Sequence, residues 1–313
     1  MTMGGYAAVF PGQGSQSIGM MAGWDDHPEV RSTFDEASAA LGEDLWSLVT
    51  DGPVEALGLT TNTQPVMLTA GIAAWRAWLA SGAPRPAVVA GHSLGEYTAL
   101  VAAGAIAFAD AVPLVRFRAQ AMQDAVPAGV GAMAAILGGD DAAVADACRE
   151  AARGEVVEPV NFNSPGQIVI AGHRAAVERA IEAAKARGAK RGMILPVSAP
   201  FHSSLLRPAA EKLAARLASV EIRTPTIPVL HNVDTAEHRT PEAIRGALAR
   251  QAASPVQWTG TLKAMAARGV TDVVECGPGR VLAGLVRKVD ASMKAHALTD
   301  GHSLRDALAA LSG

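Results

Sequence analysis

Short apolar runs that end in glycine-rich turns alternate along most of the chain with longer stretches spaced like helices. Tyr6-Ala-Ala-Val-Phe10 reads as a buried strand running into the turn Pro11-Gly-Gln-Gly-Ser-Gln16. Ala87-Val-Val-Ala90 reads as a second strand ended by Gly91, and Thr271-Asp-Val-Val-Glu275 as a third, followed by Gly277-Pro-Gly279. Val66, Leu68, Ile72, Trp75 and Leu79 recur as one helical face. Pro28 and Pro65 mark helix starts, because proline fits the first turn, where its missing N–H has no partner to lose; Thr63 or Gln64 stands before the second. Further helices are predicted directly after Ser93, over 109–125 and around 281–288. Strand–helix alternation of this kind implies a mostly parallel sheet covered on both faces.

Between 129 and 198 the pattern changes. Strands are predicted over 131–137, 156–162, 167–171 and 191–197, with helices over 140–152 and 175–187, and Asn163-Ser-Pro-Gly166 joins the two middle strands. The order β-α-β-β-α-β is the ferredoxin-like pattern. The expected architecture is an α/β fold. A large α/β-hydrolase-like domain over 1–128 and 199–313 is interrupted by a small ferredoxin-like subdomain over 129–198.

Half of the 313 residues are hydrophobic and 18% are charged, which excludes a disordered chain. The net charge of −3, without a run of Lys or Arg, gives no footprint for nucleic acid. No apolar run reaches the ~18 residues of a membrane span. Met1 to Phe10 lacks the basic and apolar regions of a secretory signal, so a cytoplasmic location is expected. Cys148 lies in an Ala-rich helical stretch and Cys276 at the end of a Val-rich strand, where buried structural thiols are common. The eight histidines are scattered without metal-ligand spacing, so neither a metal nor a bound cofactor is expected.

Gly91-His-Ser-Leu-Gly95 has the form GxSxG and lies between a strand and a helix. A sharp turn there would hold Ser93 in a strained backbone, lift its hydroxyl clear of the sheet and set it at a helix N-terminus. A serine hydroxyl needs a neighbouring base. His202, in Ser198-Ala-Pro-Phe-His-Ser203, follows the last strand of the small subdomain and could face a cleft between the two parts. His92 is adjacent to the serine, and adjacent residues on a turn point apart; it is expected to support the elbow by hydrogen bonding. The other six histidines read as surface or structural. In the first turn, Gln13 between two glycines can direct its amide into the site and, with the amide of Leu94, make a two-donor oxyanion hole.

Val9-Phe-Pro-Gly-Gln-Gly-Ser-Gln16, Gly91-His-Ser-Leu-Gly-Glu-Tyr97, Asn161-Phe-Asn-Ser-Pro-Gly-Gln167, Pro200-Phe-His-Ser203, Ser254-Pro-Val-Gln-Trp258 and Glu275-Cys-Gly-Pro-Gly279 occur in one order along the chain. Together they resemble the malonyl-CoA:acyl-carrier-protein transacylases of bacterial fatty acid synthesis and the related acyltransferase domains of polyketide synthases. The resemblance spans about residues 8–285. It implies that Ser93 is the acylated nucleophile and His202 its base, oriented by a main-chain carbonyl rather than an acid. It further implies that Gln13 and Leu94 supply the oxyanion hole, that Gln251 is the active-site glutamine and that Arg118 grips the free malonate carboxylate. A guanidinium offers a planar fork matched to a carboxylate. Arg116, two positions away, lies on another helix face and serves as a control. Phe201, just before the histidine, is similar to the malonyl-selecting version, and Met122 is assigned with it to the substrate pocket.

The implied partners are malonyl-CoA and an acyl carrier protein, served by a monomer in a ping-pong reaction. Two rival readings weaken here. An α/β-hydrolase needs a serine, then an acid, then a late histidine, and no acid stands out as a partner for His202. A binding scaffold that lost its chemistry would not need Ser93, His202, Arg118 and Gln251 together. A stand-alone acyltransferase serving a polyketide synthase stays open.

Overall fold

The structure, a computed structural model, describes residues 5–197 and 199–312; residues 1–4, 198 and 313 of the ranges above lie outside the described residues. In chain order the strands are β1 (Gly5–Phe10), β2 (Val88–Gly91), β3 (Gly131–Leu137), β4 (Val157–Ser164), β5 (Gln167–His173), β6 (Arg191–Ile194), β7 (Val229–Leu230), β8 (Val270–Cys276) and β9 (Lys294–Leu298). Five of them form a parallel sheet in the order β7-β2-β1-β8-β9. Phe10 pairs with Gly91 and Val9 with Glu275, so β1, β2 and β8 end side by side. Their carboxyl ends therefore gather three glycine-rich turns, PGQGS, GHSLG and CGPG, at one edge of the sheet. Ligands of open α/β sheets bind at this edge. The apolar residues of β1 split by parity: Ala8 and Phe10 belong to the core under the long helix Thr60–Ala80, while Ala7 and Val9 face Trp258, Leu262 and Leu285. Both faces are covered, which is why the strand reads as a continuous apolar run.

The second sheet is antiparallel, in the order β4-β5-β3-β6, with the helices Asp141–Ala152 and Arg174–Ala186 on one face. Ala134, Ile136, Ile168 and Ile170 pack under these helices. The alternate residues Met133, Val169 and Ala171 pack against Met122, Phe201 and Leu206 of the large part. A backbone bridge joins the two parts: Val256 N–H donates to Val160 O at 2.8 Å and Phe162 N–H to Val256 O at 3.0 Å.

Three expectations need correction. The helix expected to start at Pro65 begins at Thr60, with Pro65 inside it. Its extra turn is held by tertiary and capping bonds that no local pattern shows, including Thr63 Oγ1 to Leu57 O at 2.6 Å and Thr60 Oγ1 to Gln13 Oε1 at 2.8 Å. β4 runs on through Asn163 and Ser164, leaving only Pro165 and Gly166 as the turn, because the ladder to β5 continues to the Ser164–Gln167 pair. β6 stops at Ile194, ahead of Pro196, which has no N–H to give a ladder. The short edge strands β7 and β9 were not predicted; two residues of β7 are too few to show a period.

Candidate active site

Gly91 and Gly95 set the elbow. A Cβ on Gly91 would stand 1.9 Å from the Gly95 carbonyl, and one on Gly95 would stand 2.0 Å from Phe10 O. Only hydrogen fits at either place, so the turn closes tightly over the end of β1. Ser93 takes φ 52°, the strained left-handed conformation expected of it, just before the helix Gly95–Ala102. Asn232 fastens this backbone, accepting from Ser93 N–H at 2.7 Å and donating from Nδ2 to Gly91 O at 2.7 Å.

His202 approaches from the other side of the cleft. It too has positive φ, 65°, in a loop closed by Ser203 Oγ donating to Pro200 O at 2.7 Å. Glu158 of β4 ties this loop to the small sheet, accepting from Ser204 N–H at 2.7 Å and Ser204 Oγ at 2.8 Å. His202 Nε2 lies 2.7 Å from Ser93 Oγ, and Nδ1 lies 2.8 Å from Gln251 O. A carbonyl only accepts, so Nδ1 carries the proton and Nε2 presents its lone pair to the serine. Burial, and next the Arg118 cation, push the imidazole pKa down to about 3. The ring is therefore neutral, with its Nε2 lone pair facing Ser93 Oγ.

Arg118 lies on the helix Phe108–Asp124 and is almost wholly buried, at 1% exposure. Nη1 donates to Gln64 Oε1 at 2.7 Å, and Nη2 to Gln251 Oε1 at 2.9 Å and Ser93 Oγ at 3.2 Å. The guanidinium carbon sits 5.3 Å from the Tyr97 ring centre. Burial drives its pKa downward and pushes the Tyr97 phenol up to about 12. Arg118 makes no carboxylate ion pair among the described residues; amides and a hydroxyl share its donors. Arg116, by contrast, faces away and pairs with Glu43.

These groups border a cavity of about 220 Å³. Ser93, His202, Arg118, Gln13, Leu94, Met122 and Phe201 all line it. Among the described residues nothing accepts from the amides of Gln13 or Leu94, which leaves both free for an oxyanion. Gln251, placed by the resemblance among the active-site residues, does not line the cavity. It is fully buried behind the cavity, where its polar groups are used by Arg118, His202, Ser93 and Glu96. His92 makes a hydrogen bond, but not to the elbow: Nε2 meets Asn163 Oδ1 at 2.8 Å across the cleft, and the ring packs on Trp258. Burial lowers its pKa.

A model of the acyl transferase domain family matches residues 8–300 of this sequence. The chain belongs to that family. The malonyl CoA-acyl carrier protein transacylase of Escherichia coli strain K12 is 56% identical over 304 residues, covering 97% of this chain and 98% of that one. The crystal structure of an acyl-carrier-protein S-malonyltransferase from Burkholderia pseudomallei 1710b shares 59% identity and a TM-score of 0.96, covering 97% and 99% of the two chains. A malonyl-transacylase in complex with its type II PKS acyl-carrier protein shares 50% identity and a TM-score of 0.97, covering 98% and 99%.

Reading the sequence left four residues of this acyl transferase site without a role. Gln64 served only to mark a helix start, and Glu96 only as part of the GHSLGEY motif. His231 stood among histidines read as surface or structural; it is fully buried, with Nδ1 2.7 Å from Glu96 Oε1. Asn232 lies 139 residues from Ser93, and no local pattern links the two. No helix among the described residues is long and apolar enough to cross a membrane. Both cysteines are buried, and burial pushes the Cys148 thiol up to about 12.

Proposed function

We propose that this chain transfers a malonyl group from malonyl-CoA to the phosphopantetheine thiol of an acyl carrier protein, through an ester on Ser93. The observation that carries the reading is the placement of Arg118: a buried cation 3.2 Å from the serine oxygen, within the acyl cavity. Such a cation favours an acyl group with a free carboxylate at its far end. The malonyl and acyl-carrier-protein specificities named for the relatives point to the same donor and acceptor.

In the first half-reaction Ser93 Oγ attacks the thioester carbonyl while its proton passes to His202 Nε2. The amides of Gln13 and Leu94 take up the oxyanion. The C–S bond then breaks, and the leaving sulfur of coenzyme A takes the proton from His202. In the second half-reaction the carrier thiol gives its proton to His202 and attacks the ester. The Ser93 oxygen leaves and recovers that proton. Chain residues supply every proton transfer in this scheme. Intact-mass measurement after mixing with malonyl-CoA tests it: one malonyl mass is expected on the wild-type chain, mapped to Ser93 and absent from Ser93→Ala. An acyl group mapped to another residue overturns the assignment.

A further inference from the structure

We propose that Glu96 is a positioning residue for acyl transfer, a buried carboxylate that orients Ser93, His202 and Arg118 together through Gln251 and Asn232. The inference rests on the reading of Ser93 as the acylated nucleophile. Glu96 has no exposed surface, yet donors from two separate segments converge on it. His231 Nδ1 lies 2.7 Å from Oε1, while Asn232 N–H and Gln251 Nε2 each donate to Oε2 at 2.9 Å.

The Gln251 arm sets two of the three functional side chains. Its amide nitrogen also donates to Ser93 O at 2.8 Å. A carboxylate and a main-chain carbonyl only accept, so the amide nitrogen must face them and Oε1 must face Arg118. Without the carboxylate, an amide turned over would set its own N–H groups against the guanidinium. The main-chain carbonyl of the same residue receives His202 Nδ1–H, which fixes the tautomer of the base. The Asn232 arm sets the third. Glu96 holds the Asn232 backbone, and the Asn232 side chain clamps Ser93 N and Gly91 O, the strained part of the elbow. Neither Glu96 nor Gln251 nor Asn232 lines the cavity, so Glu96 acts only through other groups. The acid that His202 does not touch directly thus stands one glutamine away from it.

Three variants test this, each assayed by rapid-mixing mass spectrometry with malonyl-CoA and with acetyl-CoA. Rates are normalised to the fraction of sites that acylate at saturation, which separates slow sites from missing ones. Glu96→Gln keeps an oxygen for Asn232 and Gln251, and its NH₂ can donate to His231 in the other tautomer. It should retain acylation within about tenfold, the scale of one exchanged hydrogen bond. Glu96→Asp withdraws the carboxylate by ~1.5 Å, one C–C bond. Misplacement of that size in supporting groups costs roughly 10²-fold, so malonylation per competent site should fall about that far. Acetylation should fall less, because only malonyl transfer also depends on Arg118. Glu96→Ala should be at least as slow as Glu96→Asp; if it does not fold, the other two variants decide. Glu96→Asp reacting at the wild-type rate per competent site, with only its melting temperature lowered, would leave Glu96 a purely structural residue and overturn the proposal. A wild-type chain that takes up no malonyl group overturns the functional reading itself, an outcome distinct from wild-type chemistry in Glu96→Asp.

Discussion

Ser93 and His202 hold backbone conformations that side chains other than glycine rarely adopt, φ 52° and 65°. Each costs on the order of 1–3 kcal/mol, and each is held by bonds from outside its own turn: Asn232 for Ser93, Gln251 and Glu158 for the His202 loop. Arg118 is the residue with most at stake in the choice of acyl group. Removing it strands a malonyl carboxylate in the cavity without its partner, a loss on the order of 2–5 kcal/mol. Malonyl transfer by Arg118→Ala should therefore fall by roughly 10²-fold or more. The acetyl group has no carboxylate to strand, so acetyl transfer should hold steady or rise. Arg116→Ala, which loses only the Glu43 pair, should leave the malonyl-to-acetyl ratio at the wild-type value. Equal losses of both substrates in a folded Arg118→Ala protein would remove Arg118 as the carboxylate anchor.

At the scale of elements, the strand–turn–helix unit around Ser93 depends on contacts that leave no room for a methyl group. Gly95→Ala would force a Cβ to within 2.0 Å of Phe10 O, with Phe10 C at 2.8 Å and Pro11 O at 3.0 Å. Overpacking of this kind costs typically about 1–3 kcal/mol and displaces the backbone, so both thermal stability and acylation of Ser93 should drop. Gly284 is the contrasting case, an exposed glycine within the helix Val281–Val289 with nothing within 4 Å of an added Cβ. Gly284→Ala should stabilise by about 0.5–1 kcal/mol through helix propensity alone. Calorimetry on the two variants checks both directions. The helix Thr60–Ala80 carries a further lesson. Its first turn is polar yet mostly buried, because Thr60 and Gln64 link Gln13 to Arg118 by hydrogen bonds. A helix start placed by proline preference misses a turn that exists to serve the site.

For the whole molecule, burying His202 has a consequence for acid stability. His202 is held at about 3 by burial and Arg118, against 6.5 when free. Between these values the unfolded chain binds a proton that the folded one does not. Folding stability from this group is thus complete above pH 6.5 and lost as pH falls toward 3, at about 1.4 kcal/mol per pH unit. Glu275 acts in the opposite sense. Burial raises its carboxyl from 4.5 to about 7, so its contribution is complete below 4.5 and lost as pH rises through 7. The two trends oppose each other between pH 4.5 and 6.5. Denaturant unfolding of His202→Ala across that range should show a slope of stability with pH that is less positive than in the wild type. An unchanged slope would mean that His202 is not held neutral by the fold.

Sequence by itself determined many of the elements and marked the candidate reactive groups. Apolar runs ended by glycine turns are local and periodic, so β1, β2, β8 and most of the small sheet were legible within a few residues. GxSxG marked Ser93 as the candidate nucleophile because the turn needs its glycines wherever it occurs. The tertiary structure decided which of those groups meet. Parallel register brings the ends of β1, β2 and β8 together, and the bridge at Val256 seats the small sheet against the elbow. Whether Arg118 was a solvated helix residue or a buried one beside Ser93 could not be settled by its helix, since either is compatible with one polar position on an apolar face. Glu96, His231 and Asn232 were invisible as a site for a related reason. Hydrogen bonds between residues 135 to 139 positions apart leave no periodic trace, because their partners are chosen by the packing of separate elements.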